Sequence, residues 1–416
     1  MRPPFASLVR AAAFAVLATL ASGFDWPAKP TAALKADLVA YARGAGEGPL
    51  ADAVEKASST AEWMRAAIAR GSELLKASEG ADFGDKTRER GLRIIDYPLH
   101  LDNYDQERSS AEDKKAFNEV VRDYCVSARE RVFSEVAAAT IPEGSLRLWR
   151  IYNMGYVIKG PKHTVAIDIT ARPELYTASG KYFVKDTNTV IWCKADWKRL
   201  AELADMIFVT HPHGDHYARA GIEAFVEANK PVVVPCDLVA YAANRPPKKG
   251  PDGRYVAEKE ILTAAPCCVK LTGDHLEPVD VGGVKVRNFL GNQGANVPCN
   301  VYLLDIDGVL VADNGDNYDM DKERMLSKCP PADVIIASTW NNVQGMVRCC
   351  AAAPGFDRAK SALLPSHENE LGHGVDHRES YREMYVRKDR LGDRDFPWPR
   401  VHPLGWGESF TFTKKK

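Results

Sequence analysis

The sequence predicts an α/β domain that follows a helical N-terminal region, and three observations support this. The chain of 416 residues is long enough for one large domain or two ordinary ones. Apolar residues recur at helical spacing before residue 140, whereas apolar strands alternate with helical stretches over about 270 residues beyond it. The turn-forming cluster Ile141-Pro142-Glu143-Gly144 separates the two patterns. We therefore expect a helical region over residues 24–140 and an α/β domain over residues 141–416.

The first residues have the order of a secretory signal peptide. Arg2 and Arg10 give a positive start, Ala11 to Leu20 form a short apolar run, and small residues follow up to Gly23. The run is about half of the ~20 residues that cross a bilayer. Residues 1–23 are therefore predicted to be a cleaved signal peptide of an exported protein, periplasmic or secreted, with no stable membrane span after cleavage. An uncleaved anchor or an ordinary helix is the alternative.

Charge and cysteine content narrow the class of protein. The formal net charge of −1 offers no electrostatic reason to expect a nucleic acid or an anionic membrane as partner. The sequence has nine cysteines and no C-x-x-C spacing, so it does not predict a structural zinc ribbon. Export would permit some disulfides, and an odd count leaves at least one thiol over. The expected partner is a small-molecule substrate, and the sequence does not define the oligomeric state.

The helical region shows two amphipathic segments with a polar stretch between them. Residues 31–78 and Ala111 to Ala139 carry apolar residues at a 3.6-residue period, which predicts helices. The stretch from Gly80 to Arg93 between them is polar and contains glycine and arginine. Two roles stay open for this region: a cap over the edge of an active site, or a dimer surface.

The α/β domain opens with strands and then alternates. Strands are predicted over Leu146 to Tyr152, Tyr156 to Lys159 and Thr164 to Ile169, and a helix over Ala195 to Asp205 leads into the strand Met206 to Val209. The later predicted strands are Pro231 to Val234, Val284 to Phe289, Val301 to Leu304, Gly308 to Ala312, Asp333 to Ala337 and Ala362 to Leu364.

The densest chemistry follows the strand Met206 to Val209. Residues 210–216 read Thr-His-Pro-His-Gly-Asp-His, and imidazole and carboxylate groups are ligands for zinc, iron or manganese. His211 and His213 can point the same way from a loop, while Asp215 and His216 can face a second metal. Two metals that share a hydroxide provide a nucleophile at neutral pH. Surface loop histidines are the plain alternative, but four ligand-type residues within six favour a metal site.

This motif resembles the signature of the metallo-β-lactamase-fold hydrolases, a strand followed by T-H-x-H-x-D-H. The resemblance covers about residues 146 to 405. It implies a four-layer αβ/βα sandwich with metals at one edge and a helical N-terminal extension in front of it. It also implies that Asp168, at the end of the opening strands, supports the metal loop through hydrogen bonds rather than by ligation.

The resemblance implies further ligands on later loops. A bridging aspartate in a Gly-Asp context matches Asp316, with Asp313 as the alternative because it lies closer to the strand end. A last histidine after a late strand matches His367. The nearby His373 and His377 receive no role.

One position departs from the family pattern. The loop before the strand Asn300 to Leu304 should carry a third histidine, and it has none. Gln293 is the nearest occupant, and an amide oxygen is a weaker zinc ligand than an imidazole. His275 lies one strand too early and is interpreted as a plain loop histidine.

The leading hypothesis is a metal-dependent hydrolase of an ester, lactone or phosphoester. The resemblance implies one or two divalent ions, zinc first and iron or manganese as alternatives, and a metal-bound hydroxide that Asp215 orients or deprotonates. Lactonases, phosphodiesterases, thioesterases and β-lactamases share this fold, so the fold does not fix the reaction. The second hypothesis is a catalytically degenerate binding protein, motivated by Gln293.

Overall fold

The computed structural model describes residues 29–102, 108–170, 192–236, 265–294, 297–341, 343–371, 375, 378–386 and 400–414. The predicted signal peptide and both His373 and His377 lie outside these residues. Within these ranges no helix is both long and apolar enough to cross a bilayer.

The described chain forms helices first and then two sheets. The helices are α1 Thr31–Gly44, α2 Gly48–Lys56, α3 Thr60–Ala77, α4 Lys86–Leu99, α5 Ala111–Ala138, α6 Lys194–Leu203, α7 Arg219–Glu227, α8 Met320–Glu323, α9 Val343–Ala351 and α10 Tyr381–Val386. The strands are β1 Ser145–Tyr152, β2 Gly155–Lys159, β3 Thr164–Ile167, β4 Met206–Phe208, β5 Val232–Val234, β6 Cys268–Lys270, β7 His275–Val281, β8 Val284–Gln293, β9 Val297–Ile306, β10 Val309–Asp313, β11 Val334–Ser338, β12 Ala362–Ser366 and β13 Ser409–Thr413.

The strands build two mixed sheets that pack face to face. One has the order β13-β1-β2-β3-β4-β5-β6 and the other the order β12-β11-β10-β9-β8-β7. Strands β3 to β6 run parallel, as do β10 to β12, and the remaining pairs are antiparallel. Side chains that alternate along a strand point to opposite faces of its sheet. In β4, Met206 and Phe208 belong to the apolar cluster shared by both sheets, whereas Ile207 packs in the cluster that contains the helices.

Helices cover the outer faces, so the predicted α/β class and the four-layer arrangement are confirmed. Helix α7 packs on β4 and β5, α5 on β1 and β2, and α9 on β11. Strands that are covered by helices on one face and by the other sheet on the opposite face bury apolar side chains on both sides. This explains the near-continuous apolar runs in the sequence. The helices α1 to α5 pack on this sandwich through α5 and α4.

The polar stretch from Gly80 to Arg93 is partly helical, because α4 begins at Lys86. Asp85 caps this helix by accepting from the Arg88 amide at 2.7 Å. Gly91 is a residue that often interrupts a helix, but here it lies where α4 approaches α3. A Cβ at this glycine would lie 3.0 Å from the Gly71 carbonyl oxygen. Glycine serves close helix packing here, and buried Arg88 makes the helix look polar.

Three strands and two residue placements also differ from the sequence predictions. Strands β6, β7 and β13 were not predicted. Gln293 is the last residue of β8 rather than part of a loop, and His275 begins β7. These elements carry polar residues at many positions because one side of their strands faces away from the core. All nine cysteines lie within the described residues as free thiols, so the expected disulfides are not found.

Candidate metal centre

The candidate ligands meet at one edge of the sandwich because the strands that carry them end there. The carboxyl ends of parallel β3 and β4 lead to Asp168 and to residues 210–216. The carboxyl ends of β10 and β12 lead to Asp316 and His367. Ligand sites in parallel sheets form at this edge. A backbone hydrogen bond of 2.8 Å from Asn300 N–H to the Thr210 carbonyl joins the two sheets beside it.

Four ligand atoms form a compact cluster at this edge. Single atoms of Asp215, His216, Asp316 and His367 all lie within 4.8 Å of one another, and all four residues are buried. His216 Nε2 lies 3.6 Å from Asp215 Oδ2 and 3.3 Å from Asp316 Oδ2. His367 Nε2 lies 3.5 Å and 3.3 Å from the same two oxygens.

These spacings match a coordination sphere better than a hydrogen-bond network. Ligands bound at ~2.0–2.2 Å around a tetrahedral zinc ion lie ~3.3–3.6 Å apart, whereas an N–H···O bond is ~2.9 Å long. The buried His216 Nε2 has no partner with hydrogen-bond geometry. Two imidazoles and two carboxylates that converge at these distances fit a divalent cation.

The charges of this cluster also call for a cation. Burial opposes an imidazolium at His216, but the carboxylates of Asp316, Asp215 and Asp168 hold its pKa well above the ordinary value. Burial likewise opposes protonation of His367, and the carboxylates of Asp316 and Asp215 raise its pKa to about 10. Buried carboxylates concentrated at this point therefore favour a bound cation.

Asp168 orients the motif loop, as the resemblance implied. Its carboxylate accepts from the Thr210 amide at 2.7 Å and from Thr210 Oγ1 at 2.6 Å. Its Oδ2 lies 2.7 Å from His216 Nδ1, which fixes the ring so that Nε2 faces the cluster. Asp168 itself adopts a left-handed backbone conformation with φ of 48°.

A second group shares Asp215 with the first. Single atoms of His211, His213 and Asp215 lie within 4.8 Å of one another. His211 is fully buried, and its Nε2 has no hydrogen-bond partner. Burial and the neighbouring His216 hold the pKa of His211 well below its usual value, which leaves a neutral imidazole suited to ligation.

Gln293 lies beside the four-residue cluster and contributes an amide where the family pattern has an imidazole. Its Nε2 donates to Asp316 Oδ2 at 3.1 Å, the oxygen that faces both histidines of the four-residue cluster. Its Oε1 is buried and has no hydrogen-bond partner. The structure thus brings Gln293 to the site, with the amide bonded to the candidate bridging carboxylate.

Asp316 rather than Asp313 lies in the cluster. Asp313 sits at the end of β10 and uses Oδ1 to accept from the Gly315 amide at 2.8 Å, so it shapes the turn that delivers Asp316. His275, on β7, belongs to neither ligand group.

Two supporting residues were not found by sequence reasoning. Ser338, at the end of β11, donates from Oγ to Asp316 Oδ1 at 2.8 Å, and Asn153 Nδ2 donates to the Asp215 carbonyl at 3.1 Å. A serine at a parallel strand end and an asparagine between β1 and β2 are the only sequence signals. Neither is specific enough to select in advance.

An aromatic pair stands beside the cluster. Trp340 Nε1 donates to the Tyr318 hydroxyl at 2.8 Å, and the Trp340 ring lies 6.0 Å from the His367 ring, centroid to centroid. Tyr318 is 51% exposed, unlike almost every other large apolar side chain among the described residues. A hydrogen-bonded aromatic pair with one exposed ring therefore lies beside His367.

No protein-family model matches this sequence, and no curated protein matches it. Solved structures similar to this chain include metallo-β-lactamase-fold proteins and metal-dependent hydrolases, as the motif predicted. The metallo-β-lactamase-fold protein YhfI from Bacillus subtilis is 14% identical to this chain, with a TM-score of 0.37. The match covers 65% of this chain and 100% of YhfI. Isothiocyanate hydrolase from Delia radicum gut bacteria is 13% identical to this chain, with a TM-score of 0.42. That match covers 65% of this chain and 100% of the hydrolase.

A third similar structure has another chemistry. CmlA, a diiron β-hydroxylase from Streptomyces venezuelae, is 14% identical with a TM-score of 0.38, covering 65% of this chain and 54% of its own. All three TM-scores lie below 0.5. The fold assignment for this chain therefore rests on its strand order, its layers and the ligand edge.

Proposed function

We propose that this chain is a metal-dependent hydrolase of a small-molecule ester, lactone or phosphoester. The observation that supports it is the cluster of Asp215, His216, Asp316 and His367, with its nitrogen-to-oxygen spacings of 3.3 to 3.6 Å. We further propose one or two divalent ions, zinc first, with iron or manganese as alternatives. Bound there, such an ion supplies an acidified water and polarises the scissile group.

The chain's own residues divide the remaining work. The Asp215 side chain is 11% exposed and that of Asp316 only 1%, so Asp215 is the carboxylate that a substrate can reach. Asp215 can therefore accept a proton at the reacting centre, which is the catalytic role we assign to it. Asp168 keeps His216 in one tautomer, and Gln293 and Ser338 orient Asp316 by donating to its two oxygens.

The proposed setting is an exported protein whose partner is a small molecule. The apolar run and small residues before Gly23 support export. The net charge of −1 supports a partner other than nucleic acid.

The second candidate is a binding protein that retains the fold but not turnover. Gln293 favours it, because the group of His211, His213 and Asp215 gains no third histidine from that position. The cluster that contains His216 has four ligand residues without counting that position. We therefore expect at least one ion and hydrolysis.

The test measures metal content and hydrolysis on the same protein. The wild type, His216→Ala and the control His275→Ala are each assayed by elemental analysis and against a panel of esters, lactones and phosphodiesters. We expect metal and activity in the wild type and in His275→Ala, and loss of both in His216→Ala. Metal uptake without hydrolysis of any of the three substrate classes would support the binding protein. A wild type that takes up no metal would contradict the hydrolase and leave the binding protein.

A further inference from the structure

The segment that follows His367 is buried, polar and strained. Glu368, Asn369 and Glu370 are each no more than 1% exposed. His367 has φ of 89° and Asn369 has φ of 58°, both in the left-handed region. Such conformations are strained for residues other than glycine and persist only where the surroundings enforce them. Something must therefore hold this segment in shape.

Each of the three polar side chains has a separate buried partner. Arg150 donates to Glu368 Oε2 at 2.8 Å, and the Tyr152 hydroxyl donates to Glu370 Oε1 at 2.8 Å. Both partners lie on β1. Asn369 Nδ2 donates to Asp96 Oδ1 at 2.8 Å, and Asp96 lies on α4 in the helical region. The helical region thus contacts the residue two positions after a candidate metal ligand.

Asp96 joins the segment to the start of α10. Besides Asn369, its carboxylate accepts from the amide of Tyr381 at 3.1 Å and from that of Arg382 at 2.6 Å. Those amides belong to the first turn of α10, where amides lack partners within their own helix. Asp96 is 0% exposed. One carboxylate therefore receives three donors, one from the middle of the segment and two from the helix α10.

We propose that Asp96 is a positioning residue for the metal ligand His367, and that the helical region is thereby a structural part of the metal centre. This rests on the proposed metal site but not on any substrate or reaction. It assigns the region a role other than an active-site cap or a dimer surface. The ionised side chain is needed to accept three donors, because an amide offers only one acceptor oxygen.

The experiment is a cobalt(II) titration followed by visible absorption, which reports ion binding and geometry without any turnover. It is run at pH 8, because burial raises the pKa of Asp96 to about 7 and the carboxylate is then ionised. The binding step that His367→Ala abolishes identifies the ion held by His367. We expect Asp96→Asn to weaken that step by about tenfold or more, the loss that follows removal of supporting hydrogen bonds around metal ligands.

The matched control is Glu408→Gln. Glu408 is also a buried carboxylate bonded to α4, through Arg88 at 2.6 Å, and it contacts no described residue between His367 and α10. We expect it to lower thermal stability without weakening the cobalt step. If Asp96→Asn does not fold, Asn369→Gly removes the same contact at a residue whose backbone suits glycine.

The outcomes separate the two proposals. Wild-type binding with an equal affinity in Asp96→Asn, or in Asn369→Gly, overturns the positioning role and leaves the metal site intact. Equal weakening in Glu408→Gln also overturns it, since general loosening would then account for the effect. A wild type that binds no cobalt overturns the metal site and this inference together.

Discussion

Replacing Asp168 by asparagine tests the core of the site. The carboxylate serves three donors, the Thr210 amide, Thr210 Oγ1 and His216 Nδ1, over distances of 2.6 to 2.7 Å. An asparagine keeps one acceptor oxygen and turns an NH₂ group toward at least one of these donors. His216 then loses the partner that keeps Nε2 directed at the ion.

The expected loss of metal affinity is 10- to 100-fold, or about 1.4–2.8 kcal/mol. Competition between the protein and a chromophoric zinc chelator measures it directly. The metal-free unfolding free energy is measured in urea alongside, so that a folding defect can be separated from a ligation defect.

Asp307 offers a matched control at the opposite edge of the sandwich. It too has a left-handed backbone, with φ of 53°. Its Oδ1 lies 2.6 Å from His163 Nδ1, and its Oδ2 accepts from two backbone amides. Asp307→Asn should leave zinc affinity unchanged. The reasoning is refuted if Asp168→Asn binds zinc as tightly as the wild type, or if Asp307→Asn loses as much.

Three further predictions address packing, metal number and pH. Gly315→Ala should destabilise the fold by about 2–4 kcal/mol in urea unfolding, because the new Cβ would lie 2.4 Å from Thr210 Oγ1 at a residue with φ of 47°. The control Gly308→Ala, at φ of 87° with open space around it, should cost only about 1–2 kcal/mol. Equal costs for the two variants would contradict this packing argument. Gln293→His should raise the tightly bound metal from about one to about two ions per chain in elemental analysis, because it adds an imidazole beside Asp316, the candidate bridging carboxylate. An unchanged count would mean that this position does not face the ion. Burial, helped by Arg378, lowers the pKa of His100 to about 3, below its value in the unfolded chain. The neutral ring therefore contributes its full stability above pH 6.5. This contribution is lost as the pH falls toward 3, by up to about 1.4 kcal/mol per pH unit. His100→Gln should flatten that acid slope in urea unfolding between pH 7 and 4, and a slope equal to the wild type would argue against His100 as its source.

The sequence was most informative where one stretch of chain carries the signal. Met206 to Val209 and the motif after it form a buried strand and its following loop, so local periodicity and residue type sufficed there. The α/β class follows from similar local patterns, whereas the layered sandwich came from the family resemblance. The placement of Asp316 and His367 came from a family resemblance, and the structure brings both to the same edge.

What could not be predicted depends on contacts between distant parts of the chain. Asp96 is one acidic residue among many in the sequence, and its role depends on its hydrogen bond with Asn369, 273 positions later. Gly91 suggests a helix break until α3 is placed against it. Strand β13 alternates buried Phe410 and Phe412 with exposed Thr411 and Thr413, but it is short and its partner β1 lies at the far end of the domain.

The pairing of β13 with β1 has a consequence for how the protein is made. Ser145 Oγ and Thr413 Oγ1 lie 3.0 Å apart although 268 positions separate them. One edge of β1 therefore stays unpaired during most of synthesis, and an open strand edge invites association with other chains. Contacts of such long range also slow folding. The nascent chain thus depends on late closure of its first sheet, and a chaperone that shields this edge until then should raise the yield of native protein.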